Sequence, residues 1–91
     1  MQIINHLAEV LSKKINISAT ASRGLIKLAI KDEIGPFMPL NIIGLKEYKA
    51  IIHSSLKRRL QNLNVENIEE IIELLLDELI THQSLVLMEK I

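Results

Sequence analysis

Ninety-one residues suffice for one domain, and a chain of this length hides only about 60–65% of its unfolded surface on folding, which favours association with a further surface. Eleven Lys and Arg balance eleven Asp and Glu, excluding the strong positive field that a nucleic-acid or anionic-membrane binder needs. With no cysteine, disulfides, thiol catalysis and cysteine metal sites are excluded, and a reducing intracellular, cytoplasmic setting is expected.

Sixteen Ile and fifteen Leu against Phe37 and Tyr48 as the only aromatics predict an aliphatic core, with little for base stacking. The opening MQIINHLAEVLSKKI lacks a basic leader, an apolar core and a cleavage site, so no signal peptide is expected. Ile3, Ile4, Leu7, Leu11 and Ile15, with Val10 beside them, recur at three and four and predict an outer helix over 2–14. The small polar run NISATASRG follows. Ser18 or Ser22 can accept from the N–H groups opening a second helix over 18–34, which carries Leu25, Ile26, Leu28, Ala29 and Ile30. Arg23-Gly24 lacks the flanking pattern of a phosphate loop and reads as helix-start punctuation.

The segment GPFMP, Gly35 to Pro39, is the clearest boundary. Gly35 suits a positive-φ position after a helix, Pro36 cannot continue one, and Pro39 fits the first turn of the next. That third helix is expected over 39–62, with Ile42, Leu45, Tyr48, Ile52, Leu56, Leu60 and Leu63 inward and Gly44 inside it at a close crossing. Asn64 is placed to cap a fourth helix, with Leu63 and Ile68 as its hydrophobic staple.

The fourth helix, expected over 65–90, is the longest pattern in the chain. At 100° per residue Ile68, Ile71, Ile72, Leu75, Leu79, His82, Val86 and Lys90 share one broad stripe. A second row, Leu76, Ile80, Leu87 and Ile91, lies on the adjacent flank, with Leu74 and Leu85 on the other. Leaving each such side chain exposed forgoes roughly 1.5–3 kcal/mol, so the row predicts burial by other helices or by a second subunit. Charge interrupts the first half of this helix, and its purely apolar run is only Leu74 to Leu76, too short to span a membrane. Basic Lys46, Lys49, Lys57, Arg58 and Arg59 face acidic Glu66, Glu69, Glu70, Glu73, Asp77 and Glu78 across the short link, predicting antiparallel neighbours.

Chemistry-bearing patterns are sparse. The acidic row reads as a solvated face, because neither His53 nor His82 has a Glu three residues before it, as the di-metal helical bundles have. No nucleophile constellation surrounds His6, His53 or His82, so no catalytic residue, metal or cofactor is expected. His82 is expected as a packed or boundary residue, and His6 near a mobile terminus. His53 in HSSLKRRL resembles the neighbourhood of a phospho-accepting histidine in phosphotransfer bundles. There, however, Lys stands three residues after the His and is followed by Gly, whereas here Lys57 stands four after and is followed by Arg58.

Helix two ends in Asp32-Glu33-Ile34, and a proline break leads into MPLNIIGLK, Met38 to Lys46. In this order the chain resembles the helical domain shared by the amino-terminal part of RsbU-type stress phosphatases and the carboxy-terminal part of the clock protein KaiA. Pro39, Ile42, Ile43, Gly44 and Leu45 fit that pattern, Lys46 stands where a histidine is frequent, and the late THQSLVLMEKI resembles the closing helix. The resemblance covers about three quarters of the chain by pattern. It implies a non-catalytic four-helix domain that dimerises and binds a regulatory protein, a kinase-like switch or a kinase segment, to control an attached or separate enzyme in stress-response or related signalling. The chain would then serve as the regulatory domain of a larger phosphatase. LVLMEKI has no Gly or Pro stop, so the last helix is expected to continue into an effector domain or to be held by a dimer mate.

Taken together, the expectation is a single all-α domain over 1–91, a four-helix bundle dimerising through Leu74, Leu76, Ile80, Leu87 and Ile91. Its partners are itself and a regulatory protein, without nucleic acid or membrane, and phosphotransfer through His53 is the alternative.

Overall fold

A computed structural model describes residues 2–37, 39 and 43–90. Among these the fold is all-α. Helix α1 spans Gln2–Ile15 and α2 Ala19–Ile34; α3 (Leu45–Ile51), a π-helical turn (Ile52–Leu56) and α4 (Lys57–Asn62) run on as one rod; α5 spans Ile68–Thr81 and α6 Gln83–Lys90.

The helix ends follow from a few residues. Ser18 caps α2, its Oγ accepting from the Ala21 N–H at 3.1 Å and so satisfying one of the N–H groups a helix start leaves open. Gly35 closes α2 at φ +90°, its N–H donating to the Lys31 carbonyl at 2.9 Å, a conformation L side chains rarely adopt. The links after α1 and α4 share one device. Asn16 and Asn64 both stand at φ +58°, and the following Ile17 and Val65 N–H groups reach five residues back to Ser12 and Leu60 at 3.1 and 3.2 Å. This is the Schellman closure, with asparagine taking the place glycine usually holds. Asn64 therefore ends a helix instead of starting one. The N-cap position of α5 falls at Asn67, and Leu63, the expected staple, stands mostly in solvent.

A second correction concerns the start of the third rod. Pro39 is exposed and non-helical; α3 begins at Leu45, with Gly44 as its cap, not its interior. The Glu47 carboxylate accepts from the Gly44 N–H at 3.3 Å, the reciprocal half of a capping box. Met38, Leu40, Asn41 and Ile42, four of the nine residues of the MPLNIIGLK motif, lie outside the described residues.

The π turn has a reason in the sequence. Tyr48, Ile52, Leu56 and Leu60 recur every four residues, and all are buried. At 3.6 residues per turn a four-residue repeat drifts by about 40° per step, which over three steps would carry Leu60 off the core. A wider turn between Ile52 and Leu56 takes up much of that drift.

The core draws on every rod. α1 contributes Ile3, Ile4, Leu7, Ala8 and Leu11 and packs against α2, α5 and α6, so it is seated centrally and is not the expected outer helix. α2 adds Ile26, Ala29 and Ile30, while α5 adds Ile71, Ile72, Leu75 and Leu79. Leu28, expected among the packed residues of α2, is exposed.

The closing helix is not one rod but two. At His82 the backbone leaves the helical region (φ −109°, ψ 27°). Its Nδ1 lies 3.1 Å from the Glu78 carbonyl, which also accepts the His82 N–H at 3.0 Å. Such local bonding competes with helix continuation, and Thr81, His82 and Ser84 are weak helix formers. The break turns α6 onto α1 and α3, with Val86 buried.

Candidate functional site

Two polar clusters and one apolar flank stand out. The first cluster joins α2 to the third rod. Asp32 accepts twice from Arg59, from Nε at 2.6 Å and from an Nη at 3.0 Å, a fork-on-carboxylate geometry that fixes direction as well as distance. That hydrogen bond from Arg59, with the guanidinium charge behind it, lowers the Asp32 pKa, and the Arg59 pKa is raised in return. One residue on, Glu33 accepts from the buried Ser55 hydroxyl at 2.8 Å. Of the acidic–basic seam expected between the third rod and α5, Lys57–Glu69 forms, whereas Arg59 turns to α2 instead.

The second cluster brings together residues that the sequence keeps apart. His6 on α1 has its Nε2 2.7 Å from Glu78 Oε2 on α5. His82 Nδ1 lies 3.5 Å from the same carboxylate oxygen. The two imidazole centroids are 3.9 Å apart, with the rings tilted by 41°. The side chains of His6 and Glu78 are 29% exposed and that of His82 36%, so solvent reaches all three. Glu78 is therefore not part of a freely solvated acidic face, and His6 does not sit at a loose end. The spacing Glu78-x-x-x-His82 puts both on one side of a helix turn and was a readable local signal; the arrival of His6 depends on how α1 docks.

The apolar flank divides. Leu76 is half-buried against the core, while Ile80 is 46% and Leu87 59% exposed. They stand on the two sides of the His82 break, Ile80 near the end of α5 and Leu87 within α6. Leu74 lies elsewhere, lining a shallow groove with Lys14, Glu66, Asn67, Glu70 and Ile71 between the end of α1 and the start of α5. Ile91 lies outside the described residues. His53 is exposed on the π turn, and Lys57, four residues after it, is paired with Glu69.

No described helix is long and apolar enough to cross a membrane. No protein-family model, characterised protein or solved structure matches the chain.

Proposed function

We propose that the chain is a non-catalytic helical module that forms a homodimer and docks a regulatory protein, of switch or kinase-like type, to control an effector enzyme. In this reading the first four rods make a four-helix bundle, α6 is an arm laid across it, and the dimer contact runs over Ile80 and Leu87 with Leu76 at its inner edge. The observation that carries it is the exposure of Ile80 and Leu87 on either side of the His82 break, with half-buried Leu76 beside them. Phe37, 94% exposed beside the α2 end, offers a separate anchor for the regulatory partner, since aromatic residues are enriched at interfaces relative to the rest of the surface. The resemblance to the RsbU and KaiA helical domains supports the same reading through Asp32-Glu33-Ile34 and the break that follows.

A stable dimer contact buries about 800 Å² on each partner, so the test is oligomeric state. Sedimentation of the wild-type chain is expected to give a dimer at micromolar concentration, and Ile80→Glu with Leu87→Glu a monomer with an unchanged helical spectrum. Wild-type chain that sediments as a monomer throughout would sink the proposal.

A further inference from the structure

We infer that His6, Glu78 and His82 form a binding site for one borderline divalent metal ion of the zinc kind. One ligand atom from each, a ring nitrogen or a carboxylate oxygen, lies within 4.8 Å of the other two. An ion bound tetrahedrally at about 2.1 Å sets its ligands roughly 3.4 Å apart. The 3.5 Å between His82 Nδ1 and Glu78 Oε2 already has that spacing. The 2.7 Å between His6 Nε2 and the same oxygen is a hydrogen-bond length, and it needs to open by well under 1 Å. Two partly exposed side chains can make that adjustment by small rotations.

The donor set selects the ion. Two imidazole nitrogens with one carboxylate oxygen suit zinc, nickel, copper or ferrous iron, and suit magnesium and calcium poorly, because those ions prefer oxygen throughout. Three protein ligands leave at least one position for water or for a group from another molecule. Partial exposure of all three side chains gives the ion its way in, and on binding His82 Nδ1 exchanges its 3.1 Å contact with the Glu78 carbonyl for the ion. The ligands come from α1, from α5 and from the residue between α5 and α6, so a bound ion clamps three elements at the point where the closing helix breaks. It would stabilise the fold by mass action, since the unfolded chain scatters these ligands. Metal capture is independent of self-association: the three ligands belong to one chain, and Ile80 and Leu87 are not among them.

The test uses the whole chain, stripped with a chelator and titrated with zinc, magnesium and cobalt(II) separately. Expected are one zinc per chain, a zinc-dependent rise in melting temperature that magnesium does not reproduce, and a visible cobalt absorption band that zinc displaces. His6→Gln, Glu78→Gln and His82→Gln should each weaken zinc binding by about tenfold or more, and His53→Gln, outside the cluster, should leave it unchanged. Failure of the wild-type chain to bind zinc stoichiometrically, or to give the cobalt band, overturns the assignment without reliance on any variant. So does binding that survives both His6→Gln and His82→Gln.

Discussion

The two polar clusters are built from similar parts and end in opposite chemical states. Where α2 meets the third rod, each carboxylate has its own donor: Asp32 takes the Arg59 fork and Glu33 takes the Ser55 hydroxyl. Where α1 meets α5 and α6, a single carboxylate is shared by two imidazoles. The first arrangement is complete in itself and serves to fix the angle between two rods. The second gathers three potential metal ligands that solvent can reach. Matched donors and acceptors make a structural seam; imidazoles sharing one carboxylate can also exchange their protons for an ion.

Three measurements break or sharpen this contrast beside the two already set out. The largest effect is expected from the packing beneath the histidine corner. Leu79 is fully buried next to Glu78, and Leu79→Ala should cost about 2–5 kcal/mol in urea unfolding; a loss below ~1 kcal/mol would mean that the corner does not rest on a packed core. A smaller effect is expected at the other seam. Ser55 is almost wholly buried and donates to Glu33, so Ser55→Ala should cost ~1 kcal/mol, and a neutral result would show that the hydroxyl merely fills space.

The smallest effect concerns Asp32, because the pair with Arg59 is solvent-screened. Its folded pKa lies below its ordinary value of 3.8, so the ionised, paired form adds stability above that value, and the contribution disappears as pH falls through the folded pKa. Wild type should therefore exceed Asp32→Asn in melting temperature at pH ~5, and that advantage should shrink as the pH falls below 3.8. An advantage that persists in acid would show that Arg59 does not act through the charge of Asp32.

Much of this was written in local patterns, and the failures have identifiable physical causes. The α1 stripe, the Ser18 cap and the Gly35 stop depend on neighbours within one turn, and the structure places them where periodicity and capping chemistry put them. Asn64 was misassigned because asparagine serves both as an N-cap and as a left-handed helix end; the apolar-Asn-apolar triplets Ile15-Asn16-Ile17 and Leu63-Asn64-Val65 carried the distinction. The His82 break escaped because a 100° count assumes the straight rod it is meant to detect. That same count had put Leu76, Ile80 and Leu87 on one line, whereas the chain changes direction between the last two. Within the histidine cluster only the Glu78–His82 pair was legible. His6 joins them through tertiary docking, which no local spacing encodes.

The π turn has one further implication, for changes in chain length. Ile52–Leu56 is where this rod carries its wider winding, so it holds about one residue more than an ordinary helix would need between the same two faces. Deleting one residue there would return the winding to the ordinary pitch and leave Leu60 within about 20° of the Tyr48 face, because eleven steps of 100° fall close to three full turns. Inserting one would swing everything downstream by about a quarter turn, taking Arg59 away from Asp32. The segment thus tolerates the loss of one residue better than the gain of one.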